Sequence, residues 1–266
     1  MADSEVPVSK EDNMGRIFIT GDKHGDYSDV VKFCERWETT KDDAMIVLGD
    51  NGVNYYGLLK DRRKKKQLSK LPITFIMIRG NHDRRPYRNV YQEKEITADQ
   101  YSGTFLVEEE HPSLLFTKEF GWYAFGGVKT FVIGGAYSVD KWYRLEQYEL
   151  GYHQYKWFPN EQLSKIEMDE AMDELTFGWP ENENVCIMSH TCPMFYKPYD
   201  KLIPGIDQSG VDESMEKWLD TVHDFVEEKC SANQTKWEWY CGHWHIDRRI
   251  DTFRFMYDDY LSLTKI

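Results

Sequence analysis

The sequence predicts an α/β fold, and three observations predict it. Short, mostly apolar runs rich in β-branched residues recur along the chain and stop at glycine or polar residues, as buried strands do. Stretches with apolar residues at helical spacing separate them. Two aromatic-rich segments punctuated by turn residues interrupt that alternation and add antiparallel strands. At 266 residues, with 41% hydrophobic and 15% aromatic content, the chain has enough apolar material for one large core. A single domain over 14–266 is expected, with the polar residues 1–13 as a disordered extension.

The first strand run, Arg16 to Thr20, ends at Gly21-Asp22, and Asp26 to Thr40 follows it as a helix. Ala44 to Leu48 ends at Gly49-Asp50, and Ile73 to Ile78 leads into Gly80-Asn81. Between these two runs a crossover helix is expected, so Leu58 to Ser69 is assigned as helix. Its basic run, Lys60-Asp61-Arg62-Arg63-Lys64-Lys65-Lys66, then reads as a solvated helix face rather than a nucleic-acid patch. Leu114 to Val128, with turns at Phe120-Gly121 and Gly126-Gly127, is hairpin-like, and Thr130 to Ile133 is again strand. Pro159 to Leu175 is helix-like, and Val185 to Met188 is a strand that leads into Ser189-His190. Met194 to Gly210, rich in proline and glycine, is a long surface loop of the kind that often serves function. Val211 to Glu228 carries Trp218, Leu219, Val222, Phe225 and Val226 at helical spacing, and Trp237 to Phe255 closes the chain with hairpin-like strands.

Composition narrows the function classes. A net charge of -13 disfavours broad attachment to nucleic acid or anionic membranes. No apolar run reaches the roughly 18 residues a bilayer requires, and Met1 to Gly15 lacks the basic start and apolar stretch of a signal peptide. A cytoplasmic protein is expected. Five cysteines without CxxC spacing indicate neither a disulfide framework nor a zinc ribbon.

Five short pieces occur in order: Gly21-Asp22-Lys23-His24-Gly25, Gly49-Asp50-Asn51, Gly80-Asn81-His82-Asp83, Ser189-His190 and Gly242-His243-Trp244-His245. Ligands in open α/β sheets bind beyond the carboxyl ends of strands, so Asp22, Asp50, Asn81 and His190 should project from one rim. Asp22 and His24 flank a single residue, and in extended backbone both side chains point the same way; His243 and His245 repeat that spacing. Carboxylate oxygen mixed with imidazole nitrogen suits Mn, Fe, Zn or a similar divalent ion better than Ca. Two such ions bring a formal +4, which Asp22 and Asp50 only partly neutralise, leaving positive charge for phosphate oxygens.

The ordered set resembles the calcineurin-like metallophosphoesterase superfamily, whose pattern is DxH, GD, GNH(D/E), H and GHxH, over Arg16 to Asp247. The resemblance implies a four-layer α/β/β/α sandwich of two mixed sheets flanked by helices. It also implies that Asp22, His24, Asp50 and His245 hold one metal and that Asp50, Asn81, His190 and His243 hold the other, with Asp50 as the bridge. The implied chemistry is in-line attack on a phosphate ester by a hydroxide bridging the ions. His82 is the candidate proton donor, and Asp83 could orient it.

Arg84 and Arg85 follow directly and are candidate phosphate contacts, with Lys141 and Arg144 as further ones. Tyr55, Tyr56, Tyr137, Trp142 and Tyr143 could form an aromatic rim, although core or surface packing is the more ordinary explanation of such residues. Asp207 and Gln208 could reach substrate from the long loop. The serine/threonine protein phosphatase branch carries GDxVDRG; here Val53 and Asn54 replace its Asp and Arg, which argues against that branch. A phosphomonoesterase or phosphodiesterase for a phosphorylated small molecule is therefore expected. The alternatives are a nuclease of the same superfamily and a catalytically weak metal-binding scaffold.

Overall fold

The five predicted strand runs become two sets of parallel strands, and crossover helices explain why they are parallel. In the computed structural model, which describes residues 15–86, 89–202, 205 and 209–263, strands β1 (Ile17–Thr20), β2 (Ala44–Val47) and β3 (Thr74–Met77) pair side by side in parallel. Helices α1 (Ser28–Trp37) and α2 (Leu58–Leu68) make the two crossovers. The expectations for residues 1–13, Asp207 and Gln208 lie outside the described residues.

The antiparallel hairpin of β4 (Tyr91–Thr97) with β5 (Tyr101–Glu108) follows, and then β6 (Leu114–Phe116), which is antiparallel to β5 and parallel to β3. Strands β7 (Phe120–Phe125) and β8 (Val128–Ile133) form a hairpin about the expected turn at Gly126-Gly127, whereas Phe120-Gly121, also expected as a turn, is paired with Val132 and Ile133 as the start of β7. The second parallel set is β8, β9 (Val185–Ser189), β10 (Trp237–Cys241) and β12 (Phe253–Phe255), edged by β11 (Arg248–Ile250). Strand β13 (Leu261–Ser262) returns antiparallel to β1. Because β5 pairs with both β6 and β7, the hydrogen-bonded path is continuous, one large curled sheet where the resemblance implied two.

The two-residue period of the strands sorts their side chains into separate cores. Ile17, Ile19, Ile46 and Ile76 face Val132, Cys186, Met188 and Tyr240 across a central cluster. The alternate residues Phe18, Met45, Val47 and Phe75 bury Val30 and Phe33 of α1 and Leu68 of α2. On the far side Phe131, Ile187 and Trp239 bury α4 (Lys165–Phe177) and α5 (Ser214–Asn233) through Met168, Leu175, Leu219, Val222 and Val226. Each large side chain so buried contributes about 1.5–3 kcal/mol.

Helix α4 begins at Lys165, six residues later than the apolar spacing predicts. Ser164 and Glu167 form a reciprocal capping box, which fixes the start and leaves 159–164 irregular. The basic run of α2 is not wholly solvated: Lys65 is buried, its ammonium donating to Glu108 Oε2 at 2.8 Å and Tyr91 Oη at 2.5 Å. Helix α3 (Lys141–Glu149) had no clear sequence signal, and it buries no residue. All five cysteines are free thiols, and no helix among the described residues is long and apolar enough to cross a membrane.

Candidate metal centre

Parallel strands end on the same side of a sheet, and the described ends of β1, β2, β3, β9 and β10 are followed by Asp22 and His24, Asp50, Asn81, His190, and His243 and His245. The extended geometry expected for the two histidine pairs is corrected by the structure. His24, Asp50, His243 and His245 all have positive φ, between 45° and 67°, so left-handed kinks aim these side chains. Each such non-glycine conformation costs on the order of 1–3 kcal/mol and persists where surrounding structure imposes it. Glycine supplies the clearance: Gly49 has φ +105°, and a Cβ there would lie 2.0 Å from His190 Nδ1.

The contacts at this rim bring electron-rich atoms together. His190 Nδ1 donates to the Leu48 carbonyl at 2.7 Å, so in a neutral ring Nε2 carries a lone pair. That Nε2 sits 2.8 Å from Asn81 Oδ1 and 3.5 Å from Asp50 Oδ1, and His243 Nδ1 lies 3.1 Å from the same Asn81 oxygen. Nearby, His24 Nε2 and His245 Nε2 are 2.9 Å apart. Asp22 Oδ1 accepts the His243 amide at 2.8 Å, while Oδ2 is buried without a well-directed hydrogen bond although His245 Nε2 is 3.2 Å away. Carboxylate and amide oxygens and imidazole nitrogens brought this close together form a donor set that a divalent cation can occupy.

Two compact groupings of ligand atoms result, Asp22 with His24 and His245, and Asp22 with Asp50 and His190. Asp22 is common to both, yet one of its oxygens is committed to the His243 amide. Asp50 turns its two oxygens in different directions, Oδ2 to 3.8 Å from His24 Nε2 and Oδ1 toward His190. The electrostatics agree with a cation-seeking site. Burial raises the Asp22 carboxyl, but the influence of the neighbouring His190, His245 and His24 imidazoles outweighs it and holds the group below the usual carboxylate range. Burial drives His243 well below the ordinary imidazole value, with His190 adding to the effect, so it is neutral and able to ligate.

His82 lies at the edge of this set, its Nε2 3.8 Å from Asp50 Oδ2 and its amide donating to Asp50 Oδ1 at 2.8 Å. Asp83 does not touch it. The Asp83 carboxylate accepts the Asn51, Gly52 and Gly80 amides and the Asn51 side chain, binding the loop after β2 to the loop after β3. Arg85 is held away from the rim by Glu167 and Glu119 and by the Asn160 and Gln162 carbonyls. Arg84 lies 5.5 Å over the Phe158 ring. The cation brought to His82 is Arg144, whose Nη2 is 3.0 Å from His82 Nε2 and which is steadied by Asp140 at 2.7 Å and Tyr55 Oη at 3.1 Å. Lys141 stacks on Trp157 instead, 4.3 Å from the ring centroid. Of the aromatic candidates, Tyr55 and Tyr56 border the rim, Tyr137 is buried, and Trp142 and Tyr143 are exposed on α3.

Two residues that the sequence did not single out fix the Asn81 amide. Ser138 Oγ donates to Glu161 Oε2 at 2.5 Å, so it can only accept from Asn81 Nδ2, at 2.8 Å. Glu161 also accepts the Ser138 amide at 3.0 Å, and all three side chains are buried. The amide oxygen is thereby turned toward His190 and His243. Ser138→Ala should lower metal affinity about 10- to 100-fold, the usual range for a partner that orients a ligand. Metal titration by calorimetry checks this, and wild-type affinity would show that Asn81 orients itself.

A model of the calcineurin-like phosphoesterase family matches residues 15–247. Among solved structures, the phosphopantetheinyl hydrolase PptH from Mycobacterium tuberculosis is similar at 13% identity, with a TM-score of 0.44, covering 92% of this chain and 88% of that one. Comparison with curated proteins gives no match.

Proposed function

The chain belongs to the calcineurin-like phosphoesterase family, and from that premise we propose that it is a two-metal hydrolase of small-molecule phosphate esters. The observation that carries this reading is the convergence of His190 Nε2, His243 Nδ1 and Asp50 Oδ1 on one another and on Asn81 Oδ1, with separations of 2.8 to 3.5 Å. In this reading Asp22, His24, Asp50 and His245 hold one ion, and Asp50, Asn81, His190 and His243 hold the second. Held there, divalent ions would lower the pKa of a bound water and offset charge on the phosphoryl oxygens. Asn81 ligates without adding negative charge, which preserves attraction for a phosphate. Arg144, held by Asp140 and Tyr55, brings its Nη2 to the rim for a charge-assisted contact with a phosphate oxygen, and His82 is placed to protonate the departing oxygen.

The direct test strips the protein with a chelator, restores Mn, Fe or Zn singly, and assays p-nitrophenyl phosphate and its bis ester. Hydrolysis should return with the binding of about two ions per chain, and the ratio of the two rates assigns monoester or diester preference. Full activity in thoroughly chelated protein would exclude the mechanism.

A further inference from the structure

The basic run of α2 divides by direction. Lys65 turns inward, whereas Lys60 and Lys64, one helical turn apart, lie against the Tyr56 ring with their ammonium groups 5.3 and 5.5 Å from its centroid. Tyr56 itself touches the candidate metal-bearing loop, its hydroxyl donating to the His24 carbonyl at 3.3 Å. Lys64 donates to the adjacent Gly25 carbonyl at 2.5 Å. From a separate segment, Lys156 donates to the Tyr56 carbonyl at 2.7 Å. Three ammonium groups from two parts of the chain thus surround one tyrosine beside His24.

Their charge is left uncompensated by direct pairing. The lysines that form ion pairs among the described residues are Lys23, Lys65, Lys118, Lys197 and Lys217. Lys60, Lys64 and Lys156 are in none of these pairs, although the chain has 46 acidic residues against 33 basic ones. Each ammonium has three donors, and the backbone carbonyl that Lys64 or Lys156 contacts uses only one. Burial and then the Arg84 charge lower the Lys156 ammonium below its usual value; Asp61 opposes this and Lys60 adds to it. Lys156 therefore stands in the field of Arg84 and Lys60, a charge that a bound anion offsets.

We propose that Lys60, Lys64 and Lys156 form a second anion subsite beside the metal centre, and that the substrate is a small phosphoester carrying another phosphate group. The inference rests on the phosphoesterase reading. Arg144, already at His82, serves the phosphate that reacts, and the lysines serve the one that does not.

The test compares alkyl monophosphonates with α,ω-bisphosphonates of matched and increasing chain length, as inhibitors of p-nitrophenyl phosphate hydrolysis. At the best length the second phosphonate should tighten inhibition about tenfold or more. That gain is a ratio in which changes at the metals cancel, and it should fall below about twofold in Lys60→Gln/Lys156→Gln protein. Lys60→Glu alone, at an exposed position, should reduce it in a chain whose folding is not at risk. Equal inhibition by both series at every length, or a gain that survives the double substitution, overturns the subsite. A single-stranded oligonucleotide that inhibits more strongly than any bisphosphonate, with steep salt dependence, overturns the small-molecule assignment. Protein that cannot hydrolyse p-nitrophenyl phosphate after metal loading overturns the phosphoesterase reading instead, and calorimetric titration of the same pairs then decides the subsite alone.

Discussion

Asp50→Asn should lower kcat/KM for every phosphoester by roughly a thousandfold or more, about 4 kcal/mol of transition-state stabilisation. The substitution is nearly isosteric, and the remaining amide oxygen can still accept the His82 amide that Oδ1 accepts at 2.8 Å. What changes is the other half of the group. Oδ2, 3.8 Å from both His24 Nε2 and His82 Nε2, becomes an amide nitrogen that can only donate. An NH₂ cannot ligate a cation, and the site loses one of the two carboxylates that offset a formal +4. Metal content should fall together with activity, from about two ions per chain to one or none, as read by elemental analysis of the dialysed protein. A thermal melt separates this from misfolding, since Asp50 belongs to none of the three cores and the metal-free variant should unfold cooperatively. Wild-type metal content in an inactive variant would place Asp50 in a role other than bridging.

The legible part of this molecule is the part in which one residue's chemistry is expressed by its own neighbours in sequence. Buried parallel strands read as apolar runs because both faces are covered, and the runs at Ala44 and Val185 could be assigned from composition alone. The candidate ligand residues follow those runs, so order and spacing were enough to single them out. The β4–β5 hairpin did not register because Gln92 to Glu95 are exposed and charged, as befits an edge strand, and carry no apolar signal. Helix α3 was missed for the opposite reason to a core helix: with no buried residue it has no apolar stripe to detect.

Long-range electrostatics were least legible of all. Adjacency to the Asn81-His82 piece made Arg85 a natural phosphate contact, but Glu167 and Glu119, distant in sequence, pair with it. Arg144, 62 residues from His82, is the cation at the rim. Ser138 and Glu161 similarly act on Asn81 through contacts that only folding creates. The capping box at Ser164 and Glu167 is a contrary case, since its spacing was present in the sequence and would have corrected the start of α4.

His82→Ala should slow hydrolysis of esters with alkyl leaving groups about 10²- to 10⁴-fold while p-nitrophenyl esters, whose leaving group needs no proton, lose far less. The structure defines the protonation state from which this chemistry starts. A guanidinium only donates, so Arg144 Nη2 at 3.0 Å makes His82 Nε2 an acceptor and the imidazole neutral. Burial lowers its pKa to about 4 in the metal-free protein; Asp50 acts to raise it, and Arg144, His24 and His190 lower it further. Below the ordinary imidazole pKa of about 6.5 the unfolded chain binds a proton that the folded chain refuses until about pH 4, so this histidine's contribution to stability declines across that window on acidification. For His82 to act as an acid, an arriving phosphate must draw Arg144 onto its own oxygens, which frees Nε2, removes one lowering charge and adds a raising one. Arg144→Ala should accordingly shift the His82 titration upward in metal-free protein, measurable from the imidazole resonances by NMR. In the kinetics, the dependence of rate on leaving-group pKa should steepen when His82 is absent, because nothing then protonates the departing alkoxide. An unchanged slope across a series of leaving groups would remove His82 from the acid role and leave it a partner of Arg144.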